Sequence, residues 1–280
     1  MTVTRSKETA DFFGAISNDV WLEPEPRKKW YYPFVAPLST RYRKKLRRAR
    51  TPLADMIVLD HMASVERPNV VFTKNSKAAC TSISHAIFKL TTGLQYQGLI
   101  HQEAEVLTQG REHWDTNIAR LASPSFKSFT FVRHPVDRIE SAFRDFVTER
   151  RNPSHFYHIE KLRRFGCVEG RSERDNFAAF LEYVQACHET CRLRTDRHWR
   201  RQVDNIGWGH FQYDYIGKVE TLAEDLKAIL IMAGVDQGAA ERVSALRKNS
   251  SRTSKRIATP SQISTIRSLY AEDFEAFGYD

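Results

Sequence analysis

The chain has 280 residues, 41% hydrophobic and 28% charged, which suits one large α/β domain with extensions better than several domains. Its 43 Lys and Arg against 34 Asp and Glu give a formal charge of +9, pointing to a phosphate-bearing or polyanionic partner or to a hydrated basic surface. No stretch approaches the roughly 18 apolar residues of a membrane span, and polar residues 1–18 do not read as a signal peptide, so a soluble, cytoplasmic protein is expected.

Residues 1–67 read as an N-terminal extension and residues 68–280 as the main domain. Residues 21–40 are rich in Pro and aromatics, including Trp21, Trp30, Tyr31, Tyr32 and Phe34. They suit an arm packed on the core or a partner surface. Arg41 to Arg50 is a basic run, readable as the solvated face of a short helix or as a polyanion contact.

The clearest unit starts at Asn69. Val70, Val71 and Phe72 suit a buried strand. Small and polar residues follow from Thr73 to Ser82. Ile83, Ala86, Ile87 and Leu90 then recur at helical spacing, and Gly93 ends the helix. Strand, compact loop, helix is a phosphate-binding arrangement. A second such unit runs through Phe129, Phe131 and Val132. Arg133 and His134 close that strand, Pro135 opens a helix, and Ile139, Ala142, Phe143 and Phe146 line one of its faces.

Further on, Phe177, Phe180, Leu181 and Val184 predict a helix. Tyr213–Val219 predicts a short strand, and Thr221 with Glu224 a capping box for the next helix. Ser261 is placed to cap a last helix through Ile263, Ile266 and Leu269. Four cysteines (Cys80, Cys167, Cys187, Cys191) form no Cys-x-x-Cys and read as packed thiols rather than a zinc site.

The loop Lys77-Ala78-Ala79-Cys80-Thr81-Ser82 lets backbone amides approach a phosphate, with Lys77 adding charge and Thr81 and Ser82 adding hydroxyls. An ordinary capped loop would look similar. Arg133 at a strand end offers a rigid fork of donors to a second phosphate, and Arg138 and Ser141 interrupt the apolar stripe behind it. Arg138 could equally pair with an acid one turn away. No Gly-x-x-x-x-Gly-Lys-Ser/Thr signature occurs, so an ATPase or GTPase loop is not supported.

Taken in order, these segments resemble the carbohydrate sulfotransferases of sulfotransferase family 2. The resemblance rests on the Lys77 loop, on Phe131-Val-Arg-His-Pro135 with Ser141, and on His198-Trp199 with Gln202. Tyr213-Asp-Tyr-Ile-Gly-Lys-Val-Glu-Thr-Leu222 and the ending Tyr270–Tyr279 add to it. It spans roughly residues 68–280. It implies a P-loop-like α/β sulfotransferase fold, with a central, mostly parallel sheet flanked by helices. It further implies transfer of a sulfuryl group from 3′-phosphoadenylyl sulfate (PAPS) to a hydroxyl of a carbohydrate or glycan, lipid-linked and acidic acceptors included. The product nucleotide is 3′,5′-adenosine bisphosphate, and no metal is required.

By that resemblance Lys77, Ala78, Ala79, Cys80, Thr81 and Ser82 surround the 5′-phosphosulfate, and Arg133 and Ser141 bind the 3′-phosphate. Arg252 and Lys255, in the basic stretch Arg247–Arg256, close over the nucleotide. Phe143 stands where a tyrosine is commoner. Lys77 is the expected stabiliser of the leaving phosphate. His113 is the expected base, with His101 a rival, His198 a base or acceptor-positioning group, and Glu103 and Asp115 carboxylate options. Other readings are a sulfotransferase for a non-carbohydrate metabolite, a nucleotide-dependent kinase, and a non-enzymatic polyanion binder. No nucleic-acid module is evident.

Overall fold

The structure is a computed structural model and describes residues 19–245 and 256–280. Two helices, α1 (Thr40–Arg50) and α2 (Leu53–Leu59), lead into β1 (Met62–Glu66) and β2 (Asn69–Thr73). Next come α3 (Cys80–Thr92), the two-residue β3 (Thr108–Gln109), α4 (Trp114–Leu121), β4 (Lys127–Val132) and α5 (Pro135–Phe143). Then follow α6 (His155–Arg164), α7 (Glu173–Cys191), α8 (Gln202–Ile206) and β5 (Tyr215–Lys218). The chain closes with α9 (Leu222–Met232), α10 (Gln237–Ser244), α11 (Pro260–Leu269) and α12 (Ala271–Phe277).

The five strands form one sheet in the order β3-β1-β2-β4-β5. β2, β4 and β5 pair in parallel, while β1 runs against both β2 and β3. The sheet is therefore mostly parallel, as expected, with one reversed strand. Because β1 pairs along β2 from Met62↔Thr73 to Glu66↔Asn69, the sheet starts upstream of the boundary drawn at residue 68.

Alternation along the strands divides the core. Val70, Phe72, Phe129 and Phe131 point to one face, against Ile83 and Ile87 of α3 and Leu226, Ile229 and Leu230 of α9. Val71 points to the other face, against Met56 and Val58 of α2 and Trp114. Phe72 and Phe129 are partners in the β2–β4 register and stack at 4.9 Å. A separate aromatic core joins Phe143 and Phe146 to Phe177, Phe180 and Trp199. Val20 and Leu22 dock onto this second core, so of the arm read at residues 21–40 only the beginning packs there, while Trp30 and Phe34 are exposed.

Helix ends mostly follow the predicted chemistry. Gly93 ends α3 at φ 74°, and Pro135 opens α5. Two caps differ. Thr221 makes no cap bond; its hydroxyl donates to Asp225 instead, which also accepts from the Lys218 amide, so β5 and α9 are tied through Asp225. The last stretch is two helices, α11 and α12, and Thr259 with Gln262 forms the capping box of α11. Pro260 takes the first helical position there, one residue before Ser261.

Gly217 of β5 faces Phe131 across the sheet, and a Cβ at this position would lie 2.5 Å from the Phe131 ring. The ring is fully buried and cannot retreat freely. Gly217→Ala should therefore destabilise the protein by about 1–3 kcal/mol, read as a lower urea midpoint at unchanged slope. An unchanged midpoint would mean that the strand spacing is looser than described.

Candidate active site

β2 and β4 are parallel neighbours, so the loops leaving their carboxyl ends lie side by side. The β2 loop is held in unusual backbone geometry. Lys77 and Ala79 adopt left-handed φ values of 65° and 59°, a region that costs non-glycine residues roughly 1–2 kcal/mol each. Such left-handed residues turn successive amides toward a common concavity suited to an anion. Ala78 is fully buried, which anchors the turn. Cys80 opens α3 and Thr81 and Ser82 form its first turn, adding helix-end amides.

Three buried side chains fix this loop relative to β4. Asn75 donates to the Phe131 carbonyl at 3.0 Å and to Gln202 Oε1 at 3.0 Å. Gln202 accepts from the Arg133 amide at 2.9 Å and donates to its carbonyl at 2.8 Å. Arg138 is 2% exposed and donates to the carbonyls of Ser76, Arg200 and Arg197 at 2.8 to 2.9 Å. It does not pair with an acid one turn away. Its fork clamps the Lys77 loop to the segment that carries His198. The Arg133 guanidinium comes within 3.4 Å of the Lys77 carbonyl. Burial lowers its pKa, yet it stays cationic.

The Lys77 ammonium pairs with Asp145 at 3.0 Å. Asp145 lies in a π-helical turn, Arg144–Thr148, that continues α5. Burial pushes its carboxyl up, but Lys77 and a hydrogen bond from Asn152 outweigh this and hold it below the ordinary value. The Asn152 amide also meets His198 Nε2 at 3.1 Å. On its other side, His198 Nδ1 lies 2.6 Å from Asp196 Oδ1. Asp196 Oδ2 in turn contacts the fully buried His158, which bonds the Tyr183 hydroxyl. His198 is thus oriented by a carboxylate, with Nδ1–H donating and Nε2 carrying a lone pair. Burial lowers its pKa against the pull of Asp196, with Arg197 and Lys77 adding to the depression.

His101 reaches the same cleft from the β3 side. Its Nε2 shares a 2.9 Å hydrogen bond with Thr81 Oγ1 and lies 3.9 Å from Cys80 Sγ. The residue is exposed at the surface, yet enclosure of the imidazole by protein atoms, then Lys74 and Arg197, push its pKa down to about 3. Lys74, Arg197 and His61 complete a basic wall. His61 Nε2 lies 2.9 Å from Arg197, and burial brings the Lys74 ammonium down to about 8.

The expected site residues do not all converge. Lys77, Thr81, Arg133, His101 and His198 do. Ser141 is half-buried on α5. His113 precedes α4, which packs on the opposite face of the sheet from α3. Among the described residues no hydrogen bond or ion pair joins it to Lys77 or Thr81. Asp115 is tied to Arg47 on that outer side. Glu103 is buried and accepts three amides, from Glu105, Val106 and Leu107, so it shapes a turn. Arg252 and Lys255 lie outside the described residues. The chain just beyond them is pinned to α5, where Glu140 accepts the amides of Ile257 and Ala258 at 3.0 and 2.9 Å. Asp145, Asn152 and Asp196 were not singled out from sequence. The Asp-x-His spacing of Asp196 and His198 was the one available signal.

A protein-family model, described as the Sulfotransferase family, matches residues 60–280. The chain belongs to the Sulfotransferase family. Among curated relatives, Carbohydrate sulfotransferase 11 of Rattus norvegicus is 27% identical over 191 residues, covering 63% of this chain and 54% of the relative. Carbohydrate sulfotransferase 9 of Homo sapiens is 26% identical over 188 residues, covering 60% and 40%. Carbohydrate sulfotransferase 11 of Danio rerio is 25% identical over 244 residues, covering 79% and 67%. This sulfotransferase-family chain spans about half the length of most curated relatives it matches. No solved structure matches it significantly.

His188, on α7 and 9% exposed, shows how this family member should respond to acid. Burial pushes its imidazole down to about 4. Between pH 6.5 and 4 the unfolded chain then binds a proton that the folded chain refuses, so stability falls as pH falls. From pH 6.5 to 5 the loss from His188 is on the order of 2 kcal/mol. Asp273, pushed up to about 6 by burial, works in the opposite direction. The difference between proteins is therefore the clean readout. His188→Gln should lose less stability than the parent between pH 7 and pH 5. Equal losses would remove His188 as a contributor.

Proposed function

We propose that this protein transfers a sulfuryl group from PAPS to a hydroxyl of a carbohydrate acceptor. One juxtaposition carries the reading: Lys77 and Arg133 lie in the loops at the carboxyl ends of two adjacent parallel strands, with two unprotonated histidines beside them. The strained loop, its amides and Lys77 fit a 5′-phosphosulfate, Arg133 fits a 3′-phosphate, and Ser141 is assigned beside it by the motif resemblance alone. The carbohydrate class rests on the names of the relatives and on the motif resemblance.

PAPS, when bound, supplies a sulfuryl group that is already activated. The chain must then place the acceptor hydroxyl, take its proton and offset charge on the leaving phosphate. His198 is the favoured base. Asp196 holds its Nδ1–H, leaving Nε2 as the proton acceptor at the Asn152 and Lys77 side of the cleft. Lys77 is a mobile cation 3.0 Å from Asp145, poised to leave that carboxylate for a phosphate oxygen. His101, bonded to Thr81, is better placed to position the donor end.

A thermal-shift comparison tests the nucleotide. At a hundredfold excess over its dissociation constant, 3′,5′-adenosine bisphosphate should stabilise the fold by about 2.7 kcal/mol, while ATP with Mg²⁺ should do little. The reverse order would sink the reading. Isotope-labelled PAPS offered to glycans and to small hydroxylated metabolites, read by mass spectrometry, tests the acceptor. Label found only on metabolites would overturn the carbohydrate assignment.

A further inference from the structure

We propose that the segment before the sheet, residues 27–50, is a peripheral membrane anchor that seats the protein on an anionic lipid surface. The proposal is independent of the sulfuryl-transfer reading. Trp30, Phe34 and Leu38 are 82%, 72% and 86% exposed, the three most exposed large apolar side chains among the described residues. They recur every fourth residue, with Trp30 just before a helical turn, Tyr32–Val35, and Phe34 and Leu38 on that turn and on the 3₁₀ turn that follows it, Ala36–Leu38. On the same track Tyr32 and Ala36 are 7% and 4% exposed. One face therefore packs inward while the opposite face presents Trp, Phe and Leu to water. The Trp30 and Phe34 rings lie 6.2 Å apart, so the apolar groups form one patch.

The charge around that patch is of one sign. Residues 27–50 hold ten Lys and Arg and no Asp or Glu. Lys44, Arg47 and Arg48 pair with Glu112, Asp115 and Asp60 and fasten α1 to the domain. Lys28, Lys29, Arg41, Arg43, Lys45 and Arg50 are exposed and make no ion pair among the described residues. Lys29 sits over Tyr31 at 5.7 Å and Lys45 over Tyr42 at 5.3 Å. Those two rings are 6.1 Å apart, and Trp30 is 6.0 Å from Tyr31. The cations thus adjoin the apolar patch rather than lying elsewhere on the surface.

A bilayer interface satisfies both halves of this surface. Indole and phenyl rings enter the headgroup–acyl boundary, and each nearby Lys or Arg is attracted to anionic lipid. A soluble polyanion would pair with the cations but leave Phe34 and Leu38 in water. The helical pieces are far too short to span a membrane, so attachment is to one surface and reversible.

The test is vesicle co-sedimentation of the full chain, with phosphatidylcholine vesicles compared to vesicles also containing phosphatidylserine. Binding should require phosphatidylserine and weaken as salt rises. Trp30→Ser with Phe34→Ser, and separately Arg41→Gln with Arg43→Gln and Lys45→Gln, should each reduce binding about tenfold or more. Both variants should retain the parent's thermal midpoint and its stabilisation by 3′,5′-adenosine bisphosphate, which separates this surface from the nucleotide site. Three outcomes would overturn the proposal. Binding could be absent or insensitive to the apolar pair. The cations could bind heparin while vesicles are ignored. Or the apolar pair could abolish a concentration-dependent dimer instead of vesicle binding.

Discussion

Lys77→Ala is expected to lower turnover by about 10²- to 10³-fold, the usual scale for removing one charge-stabilising donor. The reason lies in where Lys77 sits and how it is held. Its ammonium rests 3.0 Å from Asp145, one carboxylate oxygen of which also meets Asn152. That pair keeps the cation in the cleft without burying it, since its side chain is 18% exposed. Charge that develops on a leaving phosphate would draw the ammonium from Asp145. The interaction grows along the reaction, so kcat should fall more than affinity for the bisphosphate. Folding should survive the change. Lysine and alanine meet the same left-handed strain at φ 65°, and the lost ion pair is partly solvated. Asp145→Asn supplies the control. It frees the ammonium but keeps it, and should damage turnover far less. Equal turnover for Lys77→Ala and the parent protein would remove Lys77 from the chemistry.

The two phosphate-facing units were legible because their signals are local. Val70 to Phe72 is a continuous apolar run, Phe129, Phe131 and Val132 are interrupted only by Thr130, and apolar residues recur at helical spacing in the helices behind them. β1 and β3 were not. β1 reads Met-Ala-Ser-Val-Glu and takes its order from pairing with β2, and β3 is only two residues long. The base was harder for a related reason. His113 stands between the two units along the chain, but α4 carries it to the other side of the sheet. His198 follows both units by more than 50 residues and is linked to Lys77 by hydrogen bonds through Asn152 and Asp145. A π-helical turn aims Asp145 there, and no helical periodicity foretells such a turn. Arg138 was visible as a polar break in an apolar stripe, yet the carbonyls it binds belong to segments about 60 residues away on either side.

That clamp leads to the largest stability effect expected in this fold. Arg138→Ala should cost roughly 3–5 kcal/mol, because it leaves the buried carbonyls of Ser76 and Arg200 without the guanidinium donor, while the Arg197 carbonyl keeps Asn205. Domains of this kind have about 5–15 kcal/mol in all, so the variant lies near the edge of folding. Arg138→Lys is therefore the informative partner. It retains the positive charge near Asp273 but not the planar fork, and an ammonium cannot span three carbonyls spaced for a guanidinium. Its urea midpoint should fall between those of the parent and Arg138→Ala. Its affinity for 3′,5′-adenosine bisphosphate should drop as well, although Arg138 is too buried to touch a nucleotide. The loss would come from the Lys77 loop and the His198 segment no longer sharing one anchor. A Lys variant with lowered stability but full nucleotide affinity would show that the loop holds its shape through Asn75 and Gln202 alone. Unchanged stability would show that the Ser76 and Arg200 carbonyls find other donors when the guanidinium is gone.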